Sequence, residues 1–359
     1  MPLIKTVDLC HRYGEHDILK DISLEVDKGE VLALIGPTGA GKTSLLRLLD
    51  LLDIPASGKI YFDGVDTAES VSLRLEARRR MAFVLQKPIV FNGSIYDNIA
   101  CGLKWRGVAK NSLRQRVNNI LELFGLSVYK DRNARTLSGG EIQQVAIARA
   151  IAIEPEVLLM DEPMANLDPN SVSRIEELIT SIIDRYHTTI IIATHDMPRG
   201  QRLADRIAVL IDGEITQTGN STEVFACPGS RPVAEFVGME NFIDGVIVGS
   251  EEWLVTIDTG NQIIEAVSDY PVGEKVLICV RPENITLALS PVSSSARNSF
   301  AGTITRVEPA GPLSRIEMDC SFKLTALITK RSAESLGLAK GKTAYVTFKA
   351  TAVHLIRKN

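Results

Sequence analysis

The segment that most constrains this chain is Gly36-Pro37-Thr38-Gly39-Ala40-Gly41-Lys42-Thr43, which lies between two apolar runs of different period. Residues 31–35 before it are apolar throughout, as in a buried parallel strand, and residues 44–49 after it have the pattern of a helix. Glycines in such a loop let several backbone N–H groups point at one anion beside the positive end of a helix. The context therefore predicts a phosphate-binding loop rather than a plain glycine-rich turn with a solvated lysine.

The last residues of this segment carry the predicted chemistry. Lys42 is expected to reach the β- and γ-phosphates of a nucleoside triphosphate, and the Thr43 hydroxyl is expected to contact Mg²⁺. The sequence thus predicts a site for a nucleoside triphosphate and Mg²⁺. Its expected phosphate-binding residues are Gly36, Pro37, Thr38, Gly39, Ala40, Gly41, Lys42, Thr43 and Ser44.

A second glycine-rich segment, Leu137-Ser138-Gly139-Gly140-Glu141, precedes apolar residues at helical spacing. Two interpretations stay open. Ser138 and Glu141 have the spacing of a capping box, so the segment could simply start a helix. Two consecutive glycines weaken a helix by about 1 kcal/mol each relative to alanine, whereas backbone N–H groups at a helix start suit a terminal phosphate. The sequence favours the second interpretation, a second phosphate contact.

A third segment, residues 157–160, is apolar and ends in the acids Asp161 and Glu162. Successive side chains of a strand point to opposite faces, so neighbouring acids at a strand end can take different tasks. Asp161 is expected to hold Mg²⁺, directly or through water. Glu162 is expected to polarise the attacking water.

Together these segments resemble the nucleotide-binding subunit of an ABC transporter, and the resemblance covers residues 3 to about 235. It implies that Tyr13 stacks on adenine, although Arg12-Tyr13-Gly14 also suits an ordinary turn. It implies that Gln86 is the Q-loop glutamine, which contacts the metal and takes part in catalysis. It further implies that Asp168 belongs to the D-loop and that His195, after an apolar strand, is the switch histidine.

The resemblance also implies the partners. Two copies of the chain would face each other head to tail, so that residues 138–140 of one close on the γ-phosphate held by Lys42 of the other. A C2 homodimer with two ATP sites is expected, attached to transmembrane permease subunits and, indirectly, to an extracytoplasmic substrate-binding protein. The apolar Ile89, Val90, Phe91 and Ile95 either pack in the core or line the groove for the permease.

One departure from the family pattern is Gln144, which stands where an arginine is usual, with Ile142 in place of a polar residue.

Composition sets further bounds. A net charge of −4 with no basic tract makes nucleic acid a poor partner. The five cysteines are scattered, as in a reduced compartment without zinc. Neither a signal peptide nor an apolar run of about 20 residues occurs, so a peripheral protein on the cytoplasmic face of the membrane is expected.

Two domains are expected from the pattern along the 359 residues. Residues 1–235 predict a P-loop α/β domain with a helical insertion at about 87–155. Residues 240–359 predict an all-β, OB-like domain in two halves joined near 290–298, with short strands and few helices. Asn241 and Gly245 recur as Asn298 and Gly302, which is a faint internal repeat.

The second domain resembles the TOBE domain of ABC importers through Arg281-Pro282-Glu283, and residues 329–338 and 349–353 resemble its Mop-type half. Residues 87–98 also resemble tungstate or molybdate ATPases. An importer ATPase for one of these oxyanions is therefore expected, with an oxyanion bound to the C-terminal domain as an option and Ser332 and Lys349 as its candidates. Sulfate, phosphate, iron or sugar import remains an alternative, as does a soluble ABC ATPase of DNA repair or translation.

Overall fold

Two units of the chain are distinguished in the computed structural model, which describes residues 1–358. The first covers Met1–Ser221 and the second starts at Thr222. The expected boundary was about 235–240, so the short helices before residue 240 group with the second unit. Each unit has its own hydrophobic core.

Ten strands and seven helices form the first unit. The strands are β1 (Ile4–Tyr13), β2 (His16–Val26), β3 (Val31–Ile35), β4 (Ser57–Phe62), β5 (Val65–Asp66), β6 (Met81–Val84), β7 (Val157–Asp161), β8 (Thr189–Thr194), β9 (Arg206–Ile211) and β10 (Glu214–Gly219). The helices are α1 (Lys42–Leu49), α2 (Val71–Arg79), α3 (Ile95–Trp105), α4 (Lys110–Leu123), α5 (Gly139–Ile151), α6 (Pro169–Tyr186) and α7 (Met197–Leu203).

A six-stranded sheet in the order β10-β9-β3-β8-β7-β6 forms the centre of this unit. Its strands are parallel except for the edge strand β10. Residues of β7 alternate between two cores: Leu158 and Met160 face one, whereas Val157 and Leu159 face the other. Because both faces are covered, the inner strands of this sheet are mostly apolar instead of alternating with polar residues. A second, antiparallel sheet has the order β2-β1-β4-β5.

Helices α3, α4 and α5 fill the region where a helical insertion was expected, and they pack together through buried apolar side chains. Helix α2 was not expected: before residue 86 the sequence has a helical pattern only at residues 44–49, and the structure has a second helix. Ser70 caps α2 by accepting a hydrogen bond from the Leu73 N–H. Only Ala77 of this helix is buried, so its apolar stripe is too thin to show as a periodic pattern.

The second unit consists of ten strands and three short helices. The strands are β11 (Asn241–Glu251), β12 (Leu254–Asp258), β13 (Ile263–Val267), β14 (Lys275–Val280), β15 (Thr286–Ala288), β16 (Asn298–Ala310), β17 (Leu313–Asp319), β18 (Lys323–Thr329), β19 (Thr343–Phe348) and β20 (Val353–Arg357). The helices are α8 (Ser221–Ala226), α9 (Arg231–Phe236) and α10 (Lys330–Ser335). The strands form two five-stranded sheets in the orders β13-β12-β11-β14-β20 and β15-β19-β16-β17-β18.

These sheets do not coincide with the two halves expected around residues 290–298. The last strand of the chain, β20, pairs with β14 of the first half, and β15 pairs with β19 of the second. Each half therefore completes the sheet of the other. Asn241 and Asn298 start the equivalent strands β11 and β16, and each side chain bonds to the opposite half, at Thr325 and Glu265 respectively. The faint repeat is thus a structural repeat with exchanged strands.

None of the helices within residues 1–358 is long and apolar enough to cross a membrane.

Candidate active site

The parallel strands bring the predicted chemical residues to one edge of the six-stranded sheet. Strands β3, β8, β7 and β6 are neighbours with the same direction, so their carboxyl ends lie side by side. The phosphate loop follows β3, His195 follows β8, and Asp161 ends β7 immediately before Glu162. Gln86 lies two residues beyond the end of β6 and is exposed. Ligands of open α/β sheets bind at this edge.

The phosphate loop is held in a form that only glycine adopts easily. Gly41 is the N-cap of α1 with φ 104° and ψ 6°, a backbone conformation that L side chains rarely adopt. Lys42 is buried, and its Nζ donates to the backbone oxygens of Gly36 at 2.7 Å and Pro37 at 3.0 Å. Burial lowers the pKa of Lys42, and the nearby charges of Glu162 and Asp161 partly oppose that shift. The ammonium group is therefore fixed inside the loop.

Thr43 and Asp161 form a direct contact between the phosphate loop and β7. The Thr43 hydroxyl donates to Asp161 Oδ2 at 2.8 Å, and Asp161 Oδ1 is buried without a partner in the described chain. Desolvation raises the pKa of Asp161, with the Thr43 hydrogen bond opposing it and the Glu162 charge adding to it. An unpartnered carboxylate oxygen beside a hydroxyl is the kind of hard oxygen donor set that Mg²⁺ prefers. These two residues therefore fit the metal.

Glu162 and His195 are also in contact. His195 Nδ1 lies 2.9 Å from Glu162 Oε1 and 2.8 Å from Oε2. The Glu162 carboxylate is largely covered, whereas His195 is exposed. Glu162 has φ 46°, in the left-handed region that costs about 1–3 kcal/mol for a residue other than glycine. Its N–H bonds to Ala193 O at the end of β8, which holds the strained conformation in place.

The segment Ser138–Glu141 forms the capping box that was one of its two interpretations. Glu141 N–H donates to Ser138 Oγ, and Glu141 Oε2 accepts from Ser138 N–H at 2.8 Å. A Cβ added at Gly140 would lie 2.3 Å from Ser171 Oγ, so glycine allows α5 to approach α6. No hydrogen bond between residues 1 and 358 joins this segment to the phosphate loop. The two glycine-rich segments therefore remain separate within one chain.

The other predicted residues have simpler surroundings. Asp168 is the N-cap of α6, where its Oδ1 accepts from the N–H groups of Asn170 and Ser171 at 3.1 Å. The Ser171 side chain, followed by these backbone hydrogen bonds, lowers the pKa of Asp168. Tyr13 ends β1 and is 52% exposed. Gln144 is buried in α5, and its Oε1 lacks a partner in the described part of the chain.

A cavity of about 590 Å³ lies beyond the end of β6 and against α3 and α5. Ile89 and Phe91 line it and are exposed, whereas Ile95 is fully buried in the core. Val90 packs against the same core. Val90 and Ile95 thus pack in the core, as one of the two interpretations expected, whereas Ile89 and Phe91 line a cavity. The sequence did not point to two further lining residues, Trp105 and Arg149, which are both on helices.

Known proteins match both units of the chain. The family model described as "ABC transporter" matches residues 19–165, and the model described as "TOBE domain" matches residues 294–355. The molybdate/tungstate import ATP-binding protein WtpC of Pyrococcus abyssi is 39% identical over 93% of this chain and 95% of its own length. The Fe(3+) ions import ATP-binding protein FbpC of Vibrio cholerae is 34% identical over 84% of this chain and 85% of its own.

Among solved structures, cbiO1 from Clostridium perfringens, part of the ABC transporter complex cbiONQ, has 33% sequence identity and a TM-score of 0.59. The match covers 66% of this chain and 94% of cbiO1. The chain therefore belongs to the ABC transporter family, as an ATP-binding, ATP-hydrolysing subunit of an import system.

Proposed function

We propose that this subunit drives the import of molybdate or tungstate. The observation that carries the proposal is the similarity to the P. abyssi protein, which extends through both domains at 39% identity. An iron importer subunit is 34% identical over a slightly shorter stretch, so iron import is the second candidate. The residues of the ATP site cannot decide between cargoes, because they contact the nucleotide and not the transported ion.

At the ATP site, Lys42 and the N–H groups of the loop bind the β- and γ-phosphates, and Thr43 with Asp161 holds Mg²⁺. The metal neutralises charge on the phosphates. Glu162 accepts a proton from the attacking water, and His195 orients that carboxylate through their hydrogen bond. The support for this step is the 2.8 Å contact between His195 Nδ1 and Glu162 Oε2, and Glu162 directly follows Asp161. Gln86, at the same sheet edge, completes the metal surroundings.

Two copies of the chain complete each ATP site. Ser138–Glu141 of one copy contacts the γ-phosphate bound to the other, and Asp168 lies at the same junction. In support, Ser138 and Gly139 are exposed, and the segment lacks any hydrogen bond to the phosphate loop of its own chain within the described residues. A C2 homodimer with two ATP sites follows. ATP binding closes it, and hydrolysis removes the bridging charge and reopens it.

The cavity next to β6 is the proposed docking site for a permease subunit on the cytoplasmic face of the membrane. Phe91 and Trp105 stack edge-to-face at its wall, with ring centroids 5.8 Å apart. The Arg149 guanidinium lies over the Phe91 ring at 5.3 Å, and its Nη1 is buried without a partner in the described chain. Exposed aromatic rings around one arginine are typical of interface centres. Leu85 and Pro88, which line the cavity, lie on either side of Gln86 in the sequence, so docking and the ATP site are adjacent there.

A regulatory oxyanion at the C-terminal domain has separate support. A cavity of about 480 Å³ in the second unit is lined by Lys349, Asn284, Thr347, Ser294 and Ser295 among others. One ammonium group with amide and hydroxyl donors suits a tetrahedral oxyanion, although the carboxylate of Glu283 in the same lining opposes an anion. Ser332 is not among the residues that line this cavity, and its hydroxyl bonds to Thr329 at the start of α10.

The cargo is tested by measuring tungstate, molybdate and iron accumulation in cells with and without the gene for this chain. Inactivation should abolish high-affinity uptake of tungstate or molybdate while iron uptake stays normal. The reverse pattern would assign the subunit to iron.

The C-terminal site is tested by calorimetry of the full chain with molybdate. Binding heat is expected for the wild type, and Lys349→Ala should remove it. Lys330→Ala, a change on the outside of α10, is the control and should leave the heat intact.

A further inference from the structure

The Tyr13 ring packs on one side against a buried histidine whose ring nitrogens make no hydrogen bond within the described residues. The His11 ring stands edge-on to it, with centroids 4.9 Å apart and an interplanar angle of 84°. His11 is 6% exposed, and neither of its ring nitrogens has a hydrogen-bond partner in the described chain. Its contact with Tyr13 is therefore packing only. About half of the Tyr13 surface stays open to solvent.

The tip of the same ring faces a clamped carboxylate. Tyr13 Oη lies 3.4 Å from Asp53 Oδ2, at the long end of a hydrogen bond. The Arg47 guanidinium binds that carboxylate in a bidentate manner: Nε donates to Oδ2 at 2.7 Å and Nη2 donates to Oδ1 at 2.9 Å. The Arg47 hydrogen bonds are the main cause that holds the pKa of Asp53 below its ordinary value. Asp53 is thus an ionised acceptor aimed at the tyrosine hydroxyl.

The backbone of Asp53 is fixed as well. Arg74, from helix α2, donates through Nη2 to the carbonyl oxygens of Asp53 and Leu51, each at 2.7 Å. Arg47 belongs to α1, the helix that starts at Lys42 of the phosphate loop. Two helices of the domain therefore hold Asp53 by its carboxylate and by its main chain. Through these four hydrogen bonds, Arg47 and Arg74 together hold the loop at Leu51 and Asp53.

We propose that Asp53, clamped by Arg47 and Arg74, is a positioning residue that fixes the Tyr13 ring as the platform for the adenine base. The proposal rests on the assignment of Tyr13 to adenine in the proposed function. A ring fixed before the nucleotide arrives loses less rotamer freedom on binding, which strengthens binding without new contacts to ATP. Because the clamp acts at the base end, it changes affinity for nucleotides and leaves phosphate binding unaffected.

The test compares Asp53→Ala, Tyr13→Phe and the double variant with the wild-type chain. Each single change should raise the Kd for a non-hydrolysable ATP analogue and the KM for ATP about 3–10-fold, as expected for one hydrogen bond, with kcat within about twofold. The double variant should be no weaker than either single one, since both remove the same interaction. The inhibition constant of inorganic tripolyphosphate should be the same for the wild type and all three variants. Asp63→Ala, which removes an aspartate paired with Arg80, is the matched control.

Three outcomes would overturn the clamp. Asp53→Ala could bind the analogue as the wild type does, the two changes could add in full, or tripolyphosphate could weaken in parallel with ATP. The last result would show that loss of Asp53 distorts the phosphate loop through Arg47. A separate variant, Tyr13→Ala, tests the underlying assignment: unchanged nucleotide affinity there would refute adenine stacking itself, whereas a loss in Tyr13→Ala without one in Asp53→Ala refutes the clamp alone.

Discussion

Replacing Asp50 by asparagine should remove part of the pH dependence of the free energy of unfolding. Asp50 is 8% exposed at the C-terminal end of α1, where the helix dipole also disfavours negative charge. Desolvation raises its pKa to about 7 from 3.8, against a weaker opposing effect of Arg78. Between these values the folded state retains a proton that the unfolded state has released. The free energy of unfolding therefore falls as pH rises from about 4 to about 7, by about 4 kcal/mol if the whole shift is expressed.

The assay is urea unfolding of the wild-type chain and Asp50→Asn at pH 5 and pH 8. A Trp253→Phe background leaves Trp105 as the single tryptophan, so the fluorescence reports the domain that contains Asp50. The free energy of unfolding of Asp50→Asn minus that of the wild type should be about 2–4 kcal/mol larger at pH 8 than at pH 5. Asp131→Asn removes an exposed carboxyl and is the control. Parallel pH profiles for wild type and Asp50→Asn would refute the reasoning.

Three further changes test other parts of the structure. Glu162→Gln should keep ATP binding, lower turnover about 10²–10⁴-fold and accumulate an ATP-bound dimer in light scattering; a monomer under these conditions would contradict the two-copy site. Gly140→Ala should lower the free energy of unfolding by about 1–3 kcal/mol because its Cβ meets Ser171, while Gly139→Ala, with its nearest atom at 3.9 Å, should cost less than 1 kcal/mol. Asn241→Ala should destabilise the C-terminal domain by about 2–4 kcal/mol in calorimetry, since its buried amide joins the two halves.

Much of the ATP site could be read from local patterns. A parallel strand buried on both faces is apolar throughout, and β3, β7 and β8 each have this signature directly before a chemical residue. The phosphate loop and the acid pair at 161–162 follow from such strands and need no knowledge of distant residues. The same holds for the start of α5, where the capping box was one of two interpretations and is present.

Helix α2 and the exchanged strands could not be read in this way. The polar surface of α2 leaves one buried residue, so its helical period is weak, yet it supplies Arg74 to the loop at Asp53. The strand β20 has no local feature that favours β14 over β19 as its partner. That choice depends on which sheet edge remains open after the other strands have paired.

A phosphate loop, two acids and a histidine that follow apolar strands are evident from consecutive residues, because a buried parallel strand and a glycine-rich turn each have a local sequence pattern. The contacts of Thr43 with Asp161, of His195 with Glu162 and of Asp53 with Tyr13 arise only when the chain folds. The members of these pairs are 118, 33 and 40 residues apart. Contacts over such separations depend on strand order and helix packing, which hydrophobic pattern alone leaves undetermined.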